Sequence, residues 1–276
     1  MRDLALRGTS VASRFGLRTL ALGYLGLLLL APVGMVFWRA LETGLGPVWD
    51  GVTAPAAVHA FEMTLLIAAI AVPANTIFGV LCALAIVRKP FRGKGVLNAV
   101  VDLPLALSPV VVGLALILVY ARGGWFGDPL LENGIQVIFA LPGMILATIF
   151  VSLPFVVREV VPVLREIGTE QEQAAAVLGA NSFQTFWRIT LPAIRWGVAY
   201  GVVLTTARAL GEFGAVSVVS GRIAGKTETA TLHVQERFDA FEYVAAYSVS
   251  VVLALIAVAT LLVMNLFKSP AYEEKN

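Results

Sequence analysis

Charge is scarce in this sequence. Of 276 residues only 14% are charged while 58% are apolar, and the mean hydropathy is +0.85. A soluble chain carries about a quarter charged residues, so the deficit excludes a water-soluble globule with an ordinary surface. Cysteine is nearly absent. The single Cys82 excludes a disulfide scaffold and a multi-thiolate metal site within one chain. Two histidines, His59 and His233, 174 positions apart, argue against a zinc centre. The net charge of +2 decides little, because in a membrane chain the placement of charge matters more than its sum.

What the sequence has in abundance is apolar runs long enough for a bilayer, which takes about 20 residues per crossing. They lie at 19–38, 62–87, 96–120, 137–157, 195–219 and 243–267. The first is longer than a signal-peptide core, contains Pro32 and ends in Trp38 and Arg39 without a small-x-small cleavage site, so it reads as a retained helix. Pro32, Pro73, Pro104, Pro109, Pro142 and Pro154 interrupt the runs. Such breaks survive in lipid where neighbouring helices or a cavity satisfy the freed carbonyls, which favours a packed bundle over isolated anchors. Fourteen Lys and Arg fall on one side of the six crossings (1–18, 88–95, 158–195 and 268–276) and five on the other, with Arg208 inside a span. That bias places both termini in the cytoplasm. The expected architecture is therefore an all-α integral membrane protein. It has a cytoplasmic tail at 1–18, a six-span domain at 19–267 with a cytoplasmic loop at 158–194, and a second cytoplasmic tail at 268–276.

The 158–194 loop has the marks of folded structure. Thr169 followed by Glu172 reads as a capping box, EQEQAAAVL is a strong helix former, and Gly179 suits the left-handed end of a helix. Ser182 can cap a second helix, SFQTFWRI, which Pro192 limits or bends. Ala174, Ala175 and Ala176 make a poor lipid-seeking face, since interfacial helices set Trp, Phe or Leu opposite Lys and Arg. A smooth alanine-lined knob suits a groove on another protein instead.

The spacing from Gln173, Ala174 and Ala175 through Gly179 to Ile189, Leu191 and Pro192 resembles the EAA loop, E-A-A-x-x-x-G-x(9)-I-x-L-P, of permease subunits in bacterial ABC importers. Gln173 stands at the glutamate position, with Glu170 and Glu172 nearby. DLPLALSPVVVGLAL (102–116), VREVVPVL (157–164) and LPAIRWGVAYGVVLTTARALGEFGAVSVVSG (191–221) are similar to the sulfate/thiosulfate importer permeases, and most to their W-type subunits. The resemblance implies a type I importer bundle in the bacterial cytoplasmic (inner) membrane, with the loop forming a coupling helix. Glu172, Gln173, Ala174, Ala175, Gly179, Ile189, Leu191 and Pro192 are then the ATPase-coupling residues, Ala174, Ala175 and Gly179 forming the docking surface. It further implies an ATPase homodimer that binds ATP and Mg, so that this chain is no enzyme and holds no cofactor or metal. The implied remaining partners are a sister T-type permease and an extracytoplasmic sulfate/thiosulfate-binding protein, with no nucleic acid. Molybdate or another oxyanion is an alternative substrate within the same mechanism. An ATP-independent secondary anion transporter is the alternative from another class, although such proteins usually place ionisable groups in several spans. A membrane enzyme would need catalytic groups gathered at one depth, and none is apparent.

Arg208 and Glu212 are the one opposite-charge pair inside an expected span. Four residues apart, they share a helix face. Two readings stand: an ion pair that locks helix packing, or an Arg208 that lends positive potential to a dianion pathway while Glu212 positions it. Asp102 can cap the third span or pair with the basic loop before it. Gly221 to Thr227, GRIAGKT, approaches a phosphate-binding loop but is one residue short, and no strand–loop–helix unit surrounds it to organise a nest of amides. It reads as an exposed turn.

Overall fold

The computed structural model describes residues 11–266; the expected C-terminal tail and most of the N-terminal one, including Arg2, Arg7, Lys268 and Lys275, lie outside the described residues. Among these, all regular structure is helical. In chain order come α1 (Val11–Leu41), α2 (Leu45–Thr53), α3 (Pro55–Arg88), α4 (Lys94–Ala106), α5 (Pro109–Tyr120), α6 (Gly127–Glu132) and α7 (Leu141–Glu166). There follow α8 (Glu170–Val177), α9 (Ser182–Thr185), a π-helical turn (Phe186–Thr190), α10 (Leu191–Leu210), α11 (Val216–Val219), α12 (Ala230–Asp239) and α13 (Tyr243–Leu266).

Among the described residues, five stretches are long and apolar enough to cross a bilayer: Thr19–Leu41, Pro55–Arg88, Leu141–Glu166, Ser182–Leu210 and Tyr243–Thr260. The expected crossing at 96–120 is different in kind. It is two helices, α4 and α5, bent by 112°, because Pro109 opens α5 and Ser108 before it is extended (φ −64, ψ 135), as a residue preceding proline prefers. The expected crossing at 195–219 is also displaced. Its helix runs from Ser182 to Leu210, and the glycines at 211 and 214 help turn the chain out of the helix before α11. Residues 11–18, expected as tail, already belong to α1.

Helix α7 is the hub, packed against α3, α10, α4, α5 and α11. Its neighbours come close because they present small residues. The buried stripe of α3 includes Ala60, Ala68, Ala71, Gly79 and Ala83 at the three- and four-residue spacing of one helix face. Val156 of α7 fills the space left by two missing Cβ atoms. A Cβ on Gly79 would stand 2.7 Å from the Val156 Cβ, and one on Gly201 of α10 would stand 3.0 Å from the Val156 Cα. Without an apolar driving force between helices in lipid, such close van der Waals contact and interhelical hydrogen bonds supply the cohesion. The polar contribution here is the fully buried Asn75, whose amide donates to the Ile149 carbonyl at 3.0 Å and to the Ser152 hydroxyl at 2.8 Å. Cys82 is buried in the same α3–α7 contact, among Ile86, Val101 and Val157. Helix α1 differs: its apolar window is wholly unburied, and it packs chiefly on α13 and, more lightly, α2.

A leucine at Gly201 has backbone in its way and at Gly79 a valine side chain. Overpacking of this kind costs about 1–3 kcal/mol. Gly79→Leu and Gly201→Leu are therefore each expected to lower the thermal midpoint of the detergent-purified protein, and a leucine variant at either site as stable as the parent would refute the three-helix contact.

Candidate functional site

Helix α8 stands at one end of the bundle, over a cleft of about 490 Å³ whose walls include Leu81, Arg88, Glu172, Ala176, Phe186 and Thr190. Its sequence alone would barely hold a helix of eight residues, so the boundaries matter. Thr169 is the N-cap residue, but its side chain makes no cap hydrogen bond; its hydroxyl accepts from the Gln173 side-chain amide at 3.0 Å instead, and the Glu172 carboxylate, whose return bond would complete a capping box, is engaged elsewhere. At the other end Gly179 takes the left-handed conformation (φ 87), and the amides of Gly179 and Ala180 return to the carbonyls of Ala176 and Ala175 at 3.0 Å each. The expected Gly179 stop is thus present, with the paired bonds that close a helix C-terminus.

The second helix is capped by Asn181, one residue before the expected Ser182. Asn181 and Gln184 exchange side-chain-to-backbone bonds at 2.9 and 3.1 Å, a reciprocal box with Asn in the serine role. Pro192 does not end this helix. The chain widens into the π turn, where the Leu191 amide donates to the Phe186 carbonyl five residues back, and continues as α10. A proline ring clashes with the carbonyl four residues earlier in a regular helix; a π turn just before Pro192 removes that conflict.

The expected coupling residues separate into two groups. Ala174 and Gly179 are exposed, as are Gln173 and Pro192. Ala175 is buried at 8% exposure, so it faces its own chain and not a docking surface; the most open large apolar side chains are Val177 and Leu178, each 88% exposed, with Phe183 at 71%. Ile189 and Leu191 are half-buried, and Leu191 packs into the core of Val156, Val160, Leu164 and Ile194.

Glu172 also turns inward. Its Oε2 lies 2.9 Å from Arg88 Nε at the end of α3, and its Oε1 accepts from the Thr190 hydroxyl at 2.8 Å. Beside this ion pair, Arg88 donates from Nη1 to the Leu164 carbonyl at 2.9 Å and from Nη2 to the Gly168 carbonyl at 2.7 Å. In the sequence Arg88 is one basic residue among four in a loop, and nothing there distinguishes it.

At the far end of α10, Arg208 Nη1 and Glu212 Oε2 meet at 2.7 Å, with the Glu212 side chain 2% and the Arg208 side chain 30% exposed. Glu212 Oε1 accepts from the Ala215 amide at 2.8 Å, and the Thr231 hydroxyl donates to the Glu212 carbonyl at 2.8 Å. The cavity bordered by Glu212, Thr64, Thr148 and Thr229 measures only about 10 Å³. That is room for one water and not for an oxyanion. Asp102 pairs with Arg158 at 3.0 Å, an ion pair from α4 to α7 in place of contact with the basic loop. In the 221–227 turn the Thr227 hydroxyl accepts from the Ile223 amide at 3.2 Å and the Ser220 hydroxyl from the Arg222 amide at 3.0 Å. Those amides are therefore occupied within the turn.

The same end holds His233, whose Nδ1 lies 2.9 Å from Glu228 Oε1, with both side chains buried. Burial pushes the Glu228 carboxyl up, but hydrogen bonds with His233 and Glu236 and the charges of His233 and Arg237 outweigh it and hold Glu228 below its ordinary value. Glu236 moves the other way, raised by burial and then by Glu228.

Residues 75–269 match the family described as the binding-protein-dependent transport system inner membrane component. The chain is 50% identical to the sulfate transport system permease protein CysW of Synechococcus elongatus, covering 91% of this chain and 87% of that one. It is 39% identical to the permease protein CysT of the same organism's sulfate transport system, covering 88% and 87%. Among solved structures it is similar to a bacterial ABC transporter that imports alginate (TM-score 0.75, 18% identity, 95% and 96% covered). It is also similar to a bacterial alginate ABC transporter in complex with its pentasaccharide-bound periplasmic protein (TM-score 0.73, 18% identity, 93% of each chain). The likeness is one of fold.

The opposed shifts of Glu228 and Glu236 give opposed predictions. A depressed carboxyl contributes stability above its unfolded pKa and loses it as pH falls through the folded one; a raised carboxyl contributes below and loses it as pH rises. Glu228→Gln should therefore lower the thermal midpoint at neutral pH and Glu236→Gln should raise it, at about 2–4 °C per kcal/mol for a chain of this class. Both differences should shrink toward acid. Shifts of the same sign in thermal scans across pH would contradict the arrangement.

Proposed function

Because the chain belongs to the family of binding-protein-dependent transport system inner membrane components, we propose that it is the membrane-spanning permease subunit of an ATP-driven importer of sulfate and thiosulfate. The 50% identity to a sulfate transport system permease over 91% of the chain supports the substrate. One observation carries the mechanism: α8 holds Val177 and Leu178 almost fully out of the bundle while an ion pair pins its base to α3, α7 and the root of α10. An apolar tip on a fixed base is what a partner needs in order to push. Ala174, Val177, Leu178 and Gly179 form the docking surface, and an ATPase homodimer that binds ATP and Mg supplies the stroke. The nucleotide-dependent stroke moves transport only if the docked partner binds the two conformations unequally.

The second permease is a T-type sister, since an organism that carries a CysW relative also carries a CysT relative of this chain. The substrate arrives from an extracytoplasmic binding protein, as the periplasmic protein of the alginate system suggests. The chain lies in the bacterial inner membrane with α8 and both termini on the cytoplasmic side, in keeping with the fourteen-to-five distribution of basic residues. Glu212, committed to Arg208 and to the Ala215 amide, holds the partly exposed Arg208 in place, where its charge can favour a passing anion.

The test is radiolabelled uptake in a deletion strain carrying the chain with its partners. Gly179→Asp and Leu178→Asp should each cut sulfate uptake at least tenfold and abolish co-purification of the ATPase, with the subunit still in the membrane; Arg208→Gln should reduce flux without releasing the ATPase. Normal uptake in the α8 variants would refute the docking surface. Uptake of molybdate in preference to sulfate would move the substrate, and full transport without any ATPase would favour a secondary anion transporter.

A further inference from the structure

We infer that Arg88 is a positioning residue for coupling: it locks the hinge between α7 and α8, so that displacement of α8 is passed to α3 and α10 and is not absorbed at the hinge. The inference rests on the reading of α8 as the docked element.

The hinge is Gly168. It lies between the end of α7 at Glu166 and the start of α8 at Glu170, in the left-handed region (φ 67). A glycine there has more backbone freedom than any other residue, and α8 projects beyond it over the cleft. Left alone, that joint would flex under load. Arg88 closes it from three directions. Nη2 holds the Gly168 carbonyl, Nη1 the Leu164 carbonyl in the last turn of α7, and Nε sits against the Glu172 carboxylate on α8. Glu172 then hands the connection on, accepting from Thr190 at the base of α10, where Thr190 is itself buried. One guanidinium and one carboxylate thus join α3, α7, α8 and the root of α10. The pair is largely screened from water, with side-chain exposures of 13% and 21%.

The geometry requires arginine. Its planar fork presents fixed donors in several directions, whereas lysine carries a point charge on a flexible stem. Lysine would retain the attraction to Glu172 and lose the two carbonyl bonds together. A purely structural role would lower hydrolysis and uptake together, through lost protein. A positioning role separates them, because the partner still docks on the exposed tip while its stroke is dissipated.

The complete importer, with both permeases, the ATPase and the binding protein, is reconstituted in proteoliposomes, and ATP hydrolysed is measured against sulfate delivered. Arg88→Lys should leave the complex assembled and hydrolysis within about twofold of the parent, while sulfate delivered per ATP falls at least tenfold. Thr190→Val, a milder change, should lower the same ratio several-fold, and Thr190→Ser should restore it. An unchanged ratio overturns the inference, as does loss of the ATPase from the complex, which would make Arg88 part of docking. A readout independent of substrate is amide exchange around Gly168 and along α8, expected to quicken at least tenfold in Arg88→Lys. Unchanged exchange would refute the lock even if the parent complex proved to carry another anion, and a parent that imports no sulfate while exchange still quickens would fault the substrate reading alone.

Discussion

The close approach of three helices at Val156 is the contact on which the rest of the molecule is built. It exists because α3 and α10 each offer a glycine where any side chain would collide, so that α7 can lie against both. In lipid this is a packing contact without hydrophobic reward, and its strength comes from dispersion over surfaces that fit closely. Asn75 adds a directional bond beside it. The consequence runs outward: α3 ends at Arg88, α7 at the Gly168 hinge, and α10 begins at the π turn, so the three helices that share the contact are also the three that meet under α8.

The loop end combines a stiff root with an open tip. The root consists of Ala175, Glu172, Thr190 and Leu191, all turned toward their own chain; the tip consists of Val177, Leu178 and Phe183, turned away from it. The π turn before Pro192 belongs to the root. It allows the connecting helix to run without interruption into α10, so that α9 and α10 act as one element and not as two joined by a loop. The other end of the bundle follows a different rule. There Glu212, Thr64, Thr231, Glu228 and His233 make a layer of buried and half-buried polar contacts among α3, the chain just beyond α10, and α12 with the residues before it, and polar groups in such a setting are stable only when their partners are present.

How much of this was readable in advance depended on range. Six apolar runs and the position of the folded loop follow from local composition, and Gly179 follows from a steric rule that needs no tertiary knowledge. Arg208 and Glu212 do pair, as their spacing along one helix suggested. The failures all involve competition. Thr169 looked like the partner of Glu172 until Arg88, 84 positions earlier, claimed the carboxylate; Asn181 outcompeted Ser182 because Gln184 could return its bond. The triple alanine looked like a single docking face, yet a helix lying on a bundle has an inside, and Ala175 is on it. The run at 96–120 is predominantly apolar, but hydropathy carries no direction, and Ser108 before Pro109 sets a 112° corner. Arg88 could not be found at all from the sequence, since two of its three partners are backbone carbonyls.

Helix α1 stands apart from these constraints. Its apolar window has no residue buried within this chain, and away from its contact with α13 a face turned to lipid does not distinguish leucine from isoleucine or valine. For such a face, length and greasiness matter more than the identity of each side chain. The family match begins only at residue 75, leaving α1 and α2 outside it. A crossing held this lightly can change its side chains without disturbing the machinery beside it.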